Sequence, residues 1–255
     1  MTRALTRTPF HSSQLVRTLA DLALVDASVP DAAFAEKLGQ WIDIAGAIAL
    51  RATHTPGPAD GTGASTDAAY LPAQAHMTQV RQNLERAIEA GGKPATGKGR
   101  NAMPVPKADV PIEIAGAYEP YRRYYVAHQR DMELKLPPLR AKVREALAGA
   151  SQAMQQLAAM DAALDRIFAG QESRLLAKVP NLLEQRFKHL RSAHQQTLAA
   201  AQLDDNITLW TKPGGWLARF CHELQTVLLA ELDVRLQPVT GLLEALHNEQ
   251  VTPHA

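Results

Sequence analysis

"PPLRAKVREALAGASQAMQQLAAMDAALDRIF", residues 137 to 168, decides the fold class. Leu139, Val143, Leu147, Ala150, Met154, Leu157, Leu164 and Phe168 recur along it at steps of three and four. That period belongs to a helix, not to a strand. Asp161 is the one gap, and Met160 can cover it. A narrow seam of this kind is what two long packed helices share. The spacing predicts a helix that starts behind Pro137-Pro138 and runs on to Phe168.

The pattern continues downstream. After an interruption that either Gly170 or Pro180 supplies, "NLLEQRFKHLRSAHQQTLAAAQ" carries Leu183, Phe187, Leu190, His194 and Leu198 on one side. Short connections between such segments imply antiparallel neighbours. "LDDNITLWTKPGGW" (Leu203–Trp216) is the one ordered non-helical candidate after Tyr118. Its Pro213-Gly214-Gly215 turn lies between Trp210 and Trp216. The two tryptophans are expected to staple the turn onto the bundle, or else to form a surface aromatic pair for a ligand or partner. The last helix, "WLARFCHELQTVLLAELDVRLQPVTGLLEALHNE", is the most apolar and is expected at the bundle centre. Pro238 should kink or split it.

Upstream, "SSQLVRTLADLAL" offers Ser12 or Ser13 as an N-cap, with Leu15, Leu19 and Leu22 at spacings of four and three. "VPDAAFAEKLGQWIDIAGAIALR" places Phe34, Leu38, Trp41, Ile42, Ala45 and Ala49 or Leu50 on one broad helical face. A third helix, from about Leu71 to Ala90, carries Met77, Val80, Leu84 and Ile88. It ends at Gly91-Gly92.

No stretch longer than four residues alternates with period two, so the sequence predicts an all-α chain. Its expected form is an elongated antiparallel helical bundle with long coiled-coil-like helices and two flexible linkers. By residue, the expected organisation is an N-terminal helical hairpin over 1–52, a flexible linker over 53–69 and a single helix over 70–90. A Gly/Pro/Lys-rich flexible linker follows over 91–116, then a long-helix bundle over 117–249 and a disordered tail over 250–255. Both linkers are too poor in large apolar residues to offset their ordering entropy.

Bulk properties exclude several functions. The chain has 255 residues, enough to bury a core. Its 27 Lys plus Arg balance 26 Asp plus Glu, leaving a formal charge of +1. Non-specific nucleic-acid binding relies on a global positive field that such a chain lacks. The single cysteine, Cys221, excludes a disulfide framework and any multi-cysteine metal site. It sits in an apolar helical pattern and is expected to be buried and inert. The most apolar window, Trp41–Leu50, is half a bilayer span and contains Asp43. With no signal peptide in view, a cytoplasmic, soluble protein is expected.

"GGKPATGKGRN" (Gly91–Asn101) resembles a phosphate-cradling loop and fails as one. Gly99 stands where Mg²⁺ needs Ser or Thr, Pro94 removes an N–H, and no strand precedes it. "YEPYRRYYVAHQRDMELKLPPLR" is the most distinctive stretch, with four of the five tyrosines within eight residues. Tyr118, Tyr121 and Tyr125 share a helical face, Tyr124 lies beside Tyr121, and Arg122, Arg123 and Arg130 flank them. Aromatics interleaved with arginine can stack on bases or hold phosphate; tyrosine is equally an ordinary half-buried packing residue. Tyr118, Tyr121, Arg122, Tyr125, Arg130, Trp210 and Trp216 are therefore the candidate interaction surface.

His128 and Asp131 are one turn apart but supply only two metal ligands, and nothing nearby completes a set. The other histidines are scattered, and no nucleophile elbow, dinucleotide turn or His-Glu-x-x-His pair occurs. No catalytic, cofactor-binding or metal residue is assigned, and no cofactor is expected.

"YYVAHQRDMELKLPPLRAKVREALAGASQAMQQLAAMDAAL", with "LLAKVPNLLEQRF" after it and "RTPFHSSQLVRTLADLAL" near the start, resembles an uncharacterised proteobacterial family, domain of unknown function family 3348. The likeness covers most of the chain apart from the two linkers. It implies no catalytic residues. It does imply a cytoplasmic accessory to an envelope complex, through gene neighbours for ion-channel-type motor proteins and peptidoglycan-binding outer-membrane proteins.

Three functions follow as expectations. The leading one is a non-catalytic cytoplasmic helical scaffold or adaptor that binds helical proteins, envelope-complex components or itself through its long helices. The second is nucleic-acid or anion binding through Arg122, Arg123, Arg130, Arg140 and Arg144 with the tyrosine face. The third is an enzyme whose pocket combines His128, Asp131 and a tyrosine.

Overall fold

The computed structural model describes residues 13–22, 24, 44–53, 66–91 and 102–251. The face from Phe34 to Ile42, most of the first linker, the Gly/Lys loop after Gly91 and the residues from Thr252 lie outside them. Among the described residues there are helices and no strand, as the periodicity requires. The helices are α1 (Gln14–Asp21), α2 (Ile44–Ala52), α3 (Thr66–Gly91), α4 (Ile112–Ala115), α5 (Glu119–Ala148), α6 (Gln152–Leu176), α7 (Val179–Ala201), α8 (Ile207–Trp210) and α9 (Trp216–Val251).

The chain forms two compact units, each assembled from three separated stretches. The first comprises Met1–Val29, Ile88–His128 and Pro180–Val234. Its core is aromatic: Tyr118, Tyr121, Phe187, Trp216 and Phe220 are all buried. The Phe187 and Phe220 rings meet edge to face at 5.0 Å, an arrangement that aligns the positive ring edge with the negative face. The second unit comprises Pro30–Ala87, Gln129–Val179 and Arg235–Ala255. Its core is aliphatic, with Leu84, Leu139, Val143, Leu147, Val239 and Leu246 among the buried side chains. Boundaries read along the chain do not anticipate this interleaving, because α3, α5 and α9 each contribute to both units.

Several expected helix limits are corrected. Pro137-Pro138 do not open a helix; they lie inside α5. An interior proline costs about 3 kcal/mol or more. Met132, Leu136, Leu139 and Val143, all buried around the pair, return about 1.5–3 kcal/mol each. The carbonyls robbed of partners belong to the exposed residues Glu133 and Leu134, where water can reach. Burial wins.

The helix expected to run on to Phe168 instead breaks at Gly149–Ser151, between α5 and α6. Ser151 adopts extended backbone and its hydroxyl accepts from the Met154 N–H, a true N-cap. The same hydroxyl donates to Glu249 at 2.8 Å. The next interruption falls at Ala177-Lys178, so Pro180 sits in the first turn of α7, and Gly170 is interior to α6. Pro238 lies within α9 and does not split it.

Helical residues occur within both stretches expected as linkers. Helix α3 already begins at Thr66, not at residue 70. The stretch expected as the second linker also contains α4 and, at its end, a packed segment. Ala115 and Gly116 are buried, and the Arg191 guanidinium donates to the Gly116 carbonyl at 2.8 Å. The helical assignment also extends to Val251, past the expected end of the bundle.

Candidate functional site

The tyrosine stretch opens α5 in the first unit, and the structure turns it inward. Tyr118, Tyr121, Tyr124 and Tyr125 are all buried, Tyr125 completely. Three hydroxyls have assigned acceptors. Tyr118 donates to the Pro180 carbonyl at 2.6 Å, Tyr124 to the Ile88 carbonyl at 3.1 Å and Tyr125 to the buried Glu231 carboxylate at 2.7 Å. Burial raises the Tyr118 and Tyr121 hydroxyls well above the usual phenol range. It pushes Tyr124 up to about 12, against a lowering hydrogen bond with Gln225. These groups remain neutral donors over the physiological range and are poor proton acceptors.

Tyr118, Tyr121 and Tyr125 therefore do not form an interaction surface. Their three-and-four spacing marks a core face, with the Tyr118 tip sent to a backbone carbonyl and the Tyr125 tip to a carboxylate. Trp210 and Trp216 are corrected in the same way. Both are buried, with ring centroids 5.3 Å apart. They staple the Pro213–Gly215 turn, and no surface pair exists. Only Arg122 and Arg130 of the seven candidates are exposed.

Two further polar nodes hold this unit. The Asp205 carboxylate oxygen Oδ1 accepts from Trp210 Nε1 at 2.7 Å and lies 3.0 Å from His194 Nε2. It ties the loop after α7 back to that helix. The Glu223 carboxylate meets Arg186 through two contacts of 2.7 and 2.8 Å and Arg219 at 2.9 Å. Burial opposes its ionisation, but hydrogen bonds from Arg186 and Arg219 outweigh that and hold it below its usual range. Cys221 is half-buried, and burial pushes its thiol up to about 12. At neutral pH it is a thiol and not a nucleophilic thiolate.

The second unit holds a feature that the periodicity concealed. Arg140 and Arg144 on α5 face Asp161 and Asp165 on α6, the antiparallel partner across the Gly149–Ser151 turn. Arg140 reaches Asp161 at 2.6 and 2.9 Å and Asp165 at 2.8 Å. Arg144 reaches both aspartates at 2.6 Å. Burial again opposes the Asp161 charge, and the two guanidinium groups overcome it, lowering the carboxyl. Asp161 was a gap in an apolar stripe; it is one corner of a four-residue charge clamp. The signal was present as two like-charged pairs at i, i+4, one on either side of the turn. Their charges are internally balanced, so two of the five arginines credited with holding phosphate are already engaged.

The His128 ring is buried against Tyr124, with centroids 4.5 Å apart. Among the described residues, no three His, Cys, Asp or Glu side chains are grouped to hold a metal ion. A cleft of about 170 Å³ in the second unit is lined by Leu136, Arg140, Asp165, Glu172, Arg235 and Val239. Its lining carries charges of both signs. An open groove of about 460 Å³ between α3 and α9 is lined by Met77, Leu243, Arg81, Glu85 and Glu244 among others.

These observations define a chain that is all-α where it is described, with an aromatic core in one unit and a charge clamp between two helices of the other. No helix among the described residues is long and apolar enough to cross a membrane. The chain belongs to the family described as Protein of unknown function (DUF3348), whose model matches residues 1–248. No curated protein and no solved structure matches it.

Proposed function

We propose that this chain is a non-catalytic helical scaffold or adaptor, acting in the cytoplasm and binding other helical proteins or itself. The family resemblance suggests that its partners belong to a cell-envelope complex. One observation carries the reading. The Arg140, Arg144, Asp161 and Asp165 charges of the second unit are engaged with one another, while its long helices direct large apolar side chains outward. Leu134 on α5 is 74% exposed and Leu71 on α3 is 63% exposed. Scattered apolar side chains are ordinary on a surface, but on long helices they are the usual anchors for a partner helix.

The test is affinity purification from the native cell in parallel with native mass measurement. The proposal expects a second copy or a defined protein in fixed ratio with the chain. It expects that species to be lost, at unchanged helicity, in a Leu71→Glu, Leu134→Glu variant. A strictly monomeric chain that retains nothing would overturn it.

A further inference from the structure

The second unit takes in α5 from Gln129 onward. Over that length Arg130, Leu134, Pro137, Pro138, Ala141 and Glu145 are all exposed. The adjacent prolines aside, they follow one another at steps of three and four, which gathers them on one face of the helix. Leu134 is the most exposed large hydrophobic side chain among the described residues. The rings of Pro137 and Pro138 are left in contact with water in the middle of the same stripe.

The stripe is balanced about its midpoint. Measured from the Pro137–Pro138 bond, Leu134 and Ala141 stand equally far away on opposite sides, and so do Arg130 and Glu145. At 1.5 Å per residue the two charges lie about 11 Å to either side of that centre, too far apart to meet within one chain. Neither takes part in an ion pair among the described residues. A second copy of the helix, laid antiparallel across a two-fold axis at the centre, sets each Arg130 against the other copy's Glu145. A closed two-fold contact requires self-complementarity of that kind. A face built for an unrelated helix has no need to balance opposite charges about its own midpoint.

We propose that the partner of this face is a second copy of the chain. The two α5 helices dock antiparallel about an axis through Pro137–Pro138, with Leu134 over the other copy's Ala141 and an Arg130–Glu145 pair at each end. The inference rests on the adaptor reading and narrows its partner to this chain. The stripe is about 23 Å long and one helix wide, which places the contact at the small, transient end of protein interfaces. The dimer should therefore dissociate on dilution. Lys135 and Lys142, also exposed, project from one flank about a quarter turn away and stay in water.

Sedimentation of the purified full chain over a range of concentrations tests this, with two charge reversals. Arg130→Glu and Glu145→Arg each set like charges against one another at both ends of the contact. Either variant alone should dimerise at least about tenfold more weakly than the native chain, because face-to-face like charges oppose association. An equal mixture of the two should recover the dimer, since one copy then carries only Glu at these positions and the other only Arg. The double variant Arg130→Glu, Glu145→Arg should dimerise as the native chain does, and it gives the reading should either single variant lose helicity. A chain monomeric at every concentration would overturn the inference. So would single variants that dimerise as well as the native chain, or a mixture of helical single variants no stronger than its components. A monomeric chain that still holds another protein in fixed ratio after purification from the native cell would overturn this inference and leave the adaptor reading standing.

Discussion

Arg144 and Asp161 lie on adjacent antiparallel helices with Nε and Oδ2 2.6 Å apart, each less than one-fifth exposed. Paired charges this shielded offset their desolvation only while both are present. Asp161→Ala leaves two guanidinium groups facing one carboxylate and should cost about 3 kcal/mol in urea unfolding. Arg144→Met with Asp161→Met should restore stability to within about 1 kcal/mol of the native chain, because a well-packed apolar pair replaces the ions without stranding either. A double variant as unstable as the single one would show that the clamp does more than join α5 to α6.

The same carboxylates set the acid limit of the fold. Asp161 and Glu223 are held below their ordinary values of 3.8 and 4.5 in the folded chain. A depressed folded value gives stability that is complete above the unfolded value and is lost as pH falls through the folded one. Stability should therefore be flat from about pH 7 to about pH 5 with respect to these groups and should drop below about pH 4. Asp161→Asn with Glu223→Gln should flatten that drop. Circular dichroism melts across the range measure it, and an acid limb of unchanged slope would contradict it.

Glycines 170 and 215 predict opposite signs. A Cβ at Gly215 would collide with the Trp210 carbonyl and stand 2.5 Å from the Leu209 carbonyl oxygen, both backbone atoms that cannot swing aside. Gly215→Ala should lower stability by about 2 kcal/mol or more. A Cβ at Gly170 meets nothing within 4 Å in the interior of α6. Gly170→Ala should raise stability by about 0.5–1 kcal/mol, through a less free unfolded chain. Thermal melts of the two variants settle both signs.

Cys221 should be slow to label. With its thiol pushed up to about 12 from an ordinary 9.0, the thiolate fraction at pH 8 falls by roughly two to three orders of magnitude. Ellman's reagent should therefore react at least about 100-fold more slowly with the native chain than with the urea-unfolded one. Comparable rates would place the thiol in water.

The helical class was readable because Leu183, Phe187 and Leu190 must repeat with the helix period to reach a common core. The turn at Pro213–Gly215 was readable too, since Gly214 adopts φ +86°, which glycine tolerates best. The break at Gly149 was not. Leu147, Ala150 and Met154 keep helical spacing straight through it, and the Ser151 cap gives no periodic signal. Pro137-Pro138 misled in the other direction, because a local backbone penalty is visible in sequence and the tertiary burial that overrides it is not. The tyrosines posed the hardest case. A face of Tyr118, Tyr121 and Tyr125 spells the same pattern whether it meets water or Phe187 and Phe220, and only the acceptors Pro180 and Glu231 distinguish the two.

The most direct test of the adaptor reading is native mass spectrometry of complexes recovered from the native cell, with Leu71→Glu, Leu134→Glu as the matched control. The account predicts a second chain, either a copy or another protein, in a fixed ratio with the first. It also predicts at least a tenfold loss of that species in the folded control. A chain that emerges alone, or a complex that the two glutamates leave untouched, would contradict it.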